Sequence, residues 1–266
     1  MKMGKKTVTL ALVLVFGSIG CAGLLFQRSL PTGIQGPKAE QLTNRIESSI
    51  NIHAWQKTGV IEWTFPRGHK HLWDRQRHWH RLQWDGCTAW IDLSSRQGRV
   101  ECNGEPLEGA DLRERLDDAW SIWANDSFWL NPLAKLRDEG TERRLVTLDG
   151  NSEALLITYS SGGVTPGDSY LWMVDEAGQV TACKMWVRII PIGGFEFSWD
   201  DWQTLDTGAR VATRHRSPLG FTIELADIRA GFSVRTLYPE SDPFAPLIGP
   251  SEEMPREKLK PARAAG

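Results

Sequence analysis

Two His-x-His pairs, His69/His71 and His78/His80, are the residues in this sequence best spaced for chemistry. They lie symmetrically about Asp74-Arg75. A two-residue turn there would close an antiparallel hairpin in which His69 faces His80 and His71 faces His78. Alternation would then put all the imidazoles on one side of the pair, close enough to converge. Imidazole nitrogens in that arrangement suit Zn²⁺ or Cu²⁺. The same face carries Trp73, Leu82 and Trp84, so the rings also fit as part of an apolar wall. Asp-Arg is not the Asn-Gly type of turn that fixes so tight a hairpin. Metal binding is therefore the secondary reading of this segment, and no other cofactor is expected.

A second set of chemically able residues is charged: Asp74, Arg75, Asp126, Lys135, Asp138, Arg143 and Asp168. Asp126 and Asp168 read as turn or helix-end residues, whose carboxylates bond to nearby backbone N–H groups. Asp74, Arg75, Lys135 and Asp138 are the candidates for a polar mouth that orients a headgroup or docks a partner. Cys87 and Cys102 flank the polar turn Ser94-Ser95-Arg96-Gln97-Gly98 symmetrically. A hairpin there makes them direct cross-strand neighbours within disulfide reach, and two packed thiols are the alternative. Signatures of catalysis are missing. There is no Gly-x-Ser-x-Gly elbow, no His-Glu-x-x-His, no Cys-x-x-Cys and no Gly-rich phosphate loop before a helix. The expectation is a binding protein, not an enzyme.

The chain holds 13 tryptophans, and most of them sit in segments of period two. Trp73, Trp84, Tyr170, Trp172, Trp186, Phe195, Phe197 and Trp199 are placed to line one face of a sheet, with Phe128-Trp129-Leu130 as an apolar lid. A filled core is the alternative for any one of these rings. With 31 basic and 33 acidic residues the formal net charge is −2, which offers no field to recruit nucleic acid.

The elements that must position these residues follow from periodicity. Residues 38–54 carry Leu42, Ile46 and Ile50 at helical spacing and read as one helix. Short strands follow at Val60–Phe65, His69–Trp73, His78–Trp84, Cys87–Leu93 and Gly98–Cys102. Ala110–Asn125 is a helical insertion, and Asp126–Glu139 reads as irregular. Further strands are expected at Thr141–Leu148, Glu153–Ser160, Ser169–Val174, Val180–Ile190, Phe195–Trp202, Arg210–Arg216 and Phe221–Ile228. Pro166 and Gly167 suit a type II turn between two of them. The expected class is α+β, mainly β. It consists of a strongly curved antiparallel half-barrel of about 11–12 strands, wrapped around the N-terminal helix and the insertion.

This order is similar to the lipoprotein-carrier fold of the LolA-like group. The motifs His71-Leu72-Trp73-Asp74-Arg75, Asp126-Ser127-Phe128-Trp129-Leu130, Lys135-Leu136-Arg137-Asp138-Glu139-Gly140-Thr141 and Gly162-Gly163-Val164-Thr165-Pro166-Gly167-Asp168-Ser169-Tyr170 resemble uncharacterised bacterial envelope lipoproteins of that group. The resemblance covers roughly residues 38–230 and implies a hydrophobic cavity for an acyl chain or lipoprotein segment under helical lids.

Residues 1–28 carry the address. Lys2, Lys5 and Lys6 precede an uncharged apolar stretch from Thr7 to Phe26. Either Ser18-Ile19-Gly20-Cys21 is a lipobox and Cys21 is lipidated, or the stretch stays as a membrane-spanning helix about 30 Å long. Both readings tether the domain to a membrane outside the cytoplasm, and free secretion, the last alternative, also places it there, where an oxidising compartment permits a disulfide. Residues 29–37 read as a tether, 38–238 as the β-rich domain and 239–266 as a disordered tail. The expected partners are the membrane, a hydrophobic ligand or lipoprotein, and another envelope protein. A structural envelope module with no small ligand is the rival function.

Overall fold

A computed structural model describes residues 27–161, 167–190 and 192–248. The expectations for Cys21, for the address segment before residue 27 and for residues 249–266 lie outside the described residues, as does part of the Pro166-Gly167 turn. Among the described residues no helix is long and apolar enough to cross a membrane.

The chain begins with α1 (Pro37–Ser49) and α2 (Ile52–Lys57). Six strands follow: β1 (Val60–Phe65), β2 (His69–Asp74), β3 (Trp79–Trp84), β4 (Cys87–Asp92), β5 (Gly98–Cys102) and β6 (Glu105–Pro106). The long helix α3 (Gly109–Leu130) leads into β7 (Thr141–Thr147), β8 (Glu153–Tyr159), β9 (Ser169–Val174), β10 (Val180–Trp186) and β11 (Phe195–Ser198). Then come β12 (Asp200–Thr204), β13 (Arg210–Arg216), β14 (Thr222–Glu224), β15 (Ala226–Gly231) and a last turn, α4 (Val234–Leu237).

Every pairing is antiparallel, but the strands form three ladders where one sheet was expected. Their orders are β15-β1-β2-β3-β4-β5-β6, β11-β10-β9-β8-β7 and β12-β13-β14. Two bent strands account for the difference. Phe195–Trp202 reads as one strand, yet its first half pairs with β10 and its second with β13. The changeover is Trp199, whose N–H still donates to the Thr181 carbonyl at 2.8 Å. Phe221–Ile228 behaves alike: β14 pairs with β13, the Leu225 N–H donates to Thr213, and β15 then pairs with β1. The strands therefore follow one another around a single curved wall that changes partner at Trp199 and Leu225. Ile61 and Trp63 of β1, Leu155 of β8, Trp172 of β9, Phe197 of β11 and Ala230 of β15 all reach one core with Leu42 and Ile46 of α1. Inner faces so far apart in strand order can meet only if the wall curves.

The predicted single helix over 38–54 is two. Asn51 adopts the left-handed conformation at φ 50°, its side-chain oxygen accepts from Ala54 N–H, and its amide donates to the Gly208 carbonyl. The helical insertion is longer than expected. It runs through Asp126 to Leu130, and a 3₁₀ turn covers Pro132–Lys135 in place of an irregular segment. The tether is paired: Ile34 and Leu145 exchange backbone hydrogen bonds at 2.9 Å. Nor does the ordered domain end at Tyr238. Phe244 is fully buried against Val60 and Leu72 on the outer face of β1 and β2.

Candidate functional site

Register decides which side chains meet. Cys87 and Cys102 are direct partners on β4 and β5 and are joined by a disulfide. In the β2–β3 hairpin, by contrast, His71 pairs with Leu82 and Trp73 with His80, so the turn is the four residues Arg75–His78. The Asp74 carboxylate sets that length by accepting the backbone N–H groups of Gln76 at 3.0 Å and Arg77 at 3.1 Å. His78 occupies a left-handed turn position at φ 57° and is exposed, which removes it from any imidazole cluster. The four histidines therefore do not converge as expected.

A different group takes its place. His69 and His71, two residues apart on β2, share the inner face, where α3 lays Asp126 across them. His69 Nδ1 lies 2.7 Å and His71 Nε2 3.0 Å from the same carboxylate oxygen, Oδ2. The other oxygen of Asp126 accepts from the Asn125 amide at 2.8 Å. Behind His71, its Nδ1 is 3.1 Å from Nε2 of His80, and Nδ1 of His80 is buried without a partner among the described residues. Trp63, the cross-strand partner of His71, stacks on its ring with centroids 4.3 Å apart and planes within 5°. One ligand atom from each of His69, His71 and Asp126 lies within 4.8 Å of the others, a spacing that could hold a metal ion.

Burial dominates the electrostatics here. It pushes the His71 imidazole below its ordinary pKa, with Asp126 only partly opposing, and pushes His80 well down, helped by His71 and Arg81. Burial alone would raise the Asp126 carboxyl, but hydrogen bonds from His69 and His71 hold it below the usual carboxylate range. Asp126 does not cap a helix end as its position in the sequence suggested. It sits on the buried face of α3, and the signal was present: the apolar series Leu116, Ala119 and Trp123 continues through Asp126 to Leu130 at helical spacing.

Around the corner from this group, Trp55, Trp73, Arg75, Ser127, Asn131, Ala134, Lys135 and Asp138 line a cavity of about 200 Å³. Three of the expected mouth residues, Arg75, Lys135 and Asp138, thus meet beside Trp73. The Arg75 guanidinium lies 4.4 Å from the Trp55 ring and donates to the carbonyls of Trp55 and Thr58. Burial lowers its pKa to about 10. Asp74 does not join them, because its carboxylate is committed to the turn and to Arg77, which also grips Asp242.

The expected aromatic lining divides. Phe128, Trp129, Leu130, Tyr170, Trp172, Phe195, Phe197 and Trp199 pack into one cluster with α1. They touch one another: Trp129 lies 4.8 Å from Phe197, Trp172 5.1 Å from Trp199 and Phe128 5.0 Å from Tyr170, between ring centroids. Phe128-Trp129-Leu130 is the last turn of α3, and Trp129 and Leu130 are driven into the concavity as a plug. Trp84 belongs to a separate cluster under the first half of α3, with Leu116 and Ala119. Trp186 lies with Leu156 and Leu171, on the side of the wall away from the main core, and donates to the Arg28 carbonyl. Parity along the strand does not reveal which helix covers which rings, so Trp84 and Trp186 stand apart from the expected lining.

Fold and site define a mainly β protein whose curved antiparallel wall encloses helices, with a buried His–carboxylate–His group beside a small amphiphilic cavity. No family model matches the chain, and no curated protein matches it. Among solved structures it is similar to a DUF1329 family protein from Desulfovibrio piger, with 10% identity over 70% of this chain and 93% of that one and a TM-score of 0.35. It is also similar to a domain from Vibrio parahaemolyticus described as an outer membrane lipoprotein-sorting protein, with 9% identity, coverages of 72% and 93%, and a TM-score of 0.30. The fold class stated above rests on the strands themselves.

Proposed function

We propose that this chain is a membrane-tethered, extracytoplasmic, non-enzymatic binding protein that takes an apolar chain bearing a polar head, such as an acyl chain or a lipidated segment. The observation that carries the reading is the cavity between β2 and the end of α3. Its Trp55 and Trp73 walls end at Arg75, Lys135 and Asp138. That pairing of aromatic wall and charged rim suits an amphiphile. The Cys87–Cys102 bridge supports a compartment outside the reducing cytoplasm.

Volume constrains the mechanism. A cavity of about 200 Å³ falls short of the roughly 300–1,000 Å³ of ordinary ligand pockets. A long chain is therefore admitted only when the rings of the α3 terminal turn part from those of the wall, which makes that turn the gate. The headgroup would stay at Lys135 and Arg75 while the chain displaces ring–ring contacts.

The test is titration of the purified chain with a fluorescent fatty-acid probe, together with solvent extraction and mass spectrometry of the protein as isolated. Binding should quench tryptophan emission, and Trp73→Ala should weaken it about tenfold, the loss of roughly 1.4 kcal/mol. If no probe binds at micromolar protein and no lipid is extracted, the ligand reading fails and a purely structural envelope module takes its place.

A further inference from the structure

The His69–Asp126–His71 group is not needed by the cavity, and its composition is odd for a structural network. Asp126 is 2% exposed, yet its hydrogen-bond and ion-pair partners among the described residues are His69, His71 and Asn125, with no Lys or Arg. A buried carboxylate without a fixed cation is costly unless something positive joins it. We propose that His69 Nδ1, His71 Nε2 and Asp126 Oδ2 form a binding site for one divalent transition-metal ion of the zinc class.

The geometry supplies what such a site requires. Two imidazoles and a carboxylate form the three-ligand set that Zn²⁺ takes when it leaves a further position open. Nitrogen donors in the majority select against Mg²⁺ and Ca²⁺, which take oxygen ligands. Bonds of about 2.0–2.2 Å at tetrahedral angles set ligand atoms about 3.3–3.6 Å apart, so the existing N···O separations of 2.7 and 3.0 Å would widen by roughly 0.3–0.9 Å, within the reach of small side-chain rotations.

The surrounding shell is already built. His71 Nδ1 lies 3.1 Å from His80 Nε2, so with an ion on Nε2 its Nδ1–H would donate to His80, the outer-shell arrangement that metal-ligating histidines use. The ion would take the place of the proton that His71 Nε2 otherwise shares with Asp126 Oδ2 at 3.0 Å. Stacking on Trp63 locks the ring plane. Access comes from the His69 side, whose side chain is 17% exposed while that of His71 is closed. The sequence pattern pointed to metal through the His-x-His pairs, but it could not supply the carboxylate from a distant helix.

The experiment uses the full chain stripped with a chelator and titrated with zinc chloride alone by calorimetry and thermal melting. One saturable site per chain is expected. The melting temperature should rise by roughly 5–10 °C at a hundredfold excess over Kd. Asp126→Asn, which keeps the side-chain shape, and His69→Ala should lose the site, His80→Ala should weaken it tenfold to a hundredfold, and His78→Ala should bind as the parent does. Cobalt(II) provides a second readout independent of variant folding, because inner-sphere nitrogen ligation gives visible ligand-field bands. The proposal is overturned if the stripped parent chain shows no saturable site and no cobalt bands. It is also overturned if folded Asp126→Asn binds zinc undiminished. The proposal is independent of the apolar-ligand reading, which the fatty-acid probe tests separately.

Discussion

His215 shows how a single residue couples burial to pH. It lies on β13 with its ring 3.9 Å from that of Trp199, and its Nε2 is 3.1 Å from the Trp129 carbonyl, to which the neutral ring can donate. Burial lowers its pKa from 6.5 to about 4 against the opposing pull of that carbonyl. A lowered histidine pKa means that the unfolded chain binds more protons than the folded one between about pH 6.5 and 4. Stability therefore rises with pH across this window and is lost as pH falls through it. The shift corresponds to about 3 kcal/mol. Urea denaturation of the parent and of His215→Gln should show a difference that changes by this amount between pH 7 and pH 4, with the parent losing more. Parallel pH curves for the two proteins would show that His215 is not held neutral by its surroundings.

Among the elements, the break between α1 and α2 makes the clearest prediction, because two helix models give opposite signs. In a continuous helix, Ala at position 51 would stabilise and Gly would cost about 1 kcal/mol relative to it. The structure instead places Asn51 at φ 50° as the cap of α2. There Asn51→Ala should cost about 2 kcal/mol, from the lost cap and a left-handed alanine, and Asn51→Gly less than that. Chemical denaturation that ranks Gly below Ala would contradict the break. The elements also show what the sequence disclosed. Strand cores such as Val60–Phe65, Ser169–Val174 and Arg210–Arg216 were readable to the residue, because alternation is a local property. The β4–β5 register was readable through Cys87 and Cys102, which flank a short polar turn symmetrically. The β2–β3 register was not, since symmetry about Asp74-Arg75 counted the histidines and ignored the capping demand of Asp74. Asp126 is hard to read from sequence for a related reason. A carboxylate on an apolar stripe looks like the end of a helix until the strand beneath it is known to present two imidazoles.

For the whole molecule, the decisive fact among the described residues is that the rings expected to line a hollow pack against one another. Trp129 is stacked with Trp199 at 5.8 Å, and the same cluster draws residues from α1, α3 and strands of all three ladders. Aromatic richness in the sequence could not distinguish a lined hollow from a plugged one, because both place the same rings on the same faces. A plugged wall still binds if part of it yields, and the parts differ in how firmly they are held. The β4–β5 hairpin is clipped by the Cys87–Cys102 bridge, which closes a 15-residue separation, a constraint worth about 3 kcal/mol against unfolding. The end of α3 has no covalent tie, and the 3₁₀ turn after it carries Lys135 at the cavity rim. Local opening should therefore concentrate there. Amide hydrogen exchange with and without the fatty-acid probe should change over residues 126–136 and 69–75 while residues 87–102 keep their protection. A change confined to 87–102, or spread evenly over the chain, would mean that the end of α3 is not the gate and that an apolar chain, if bound, enters elsewhere.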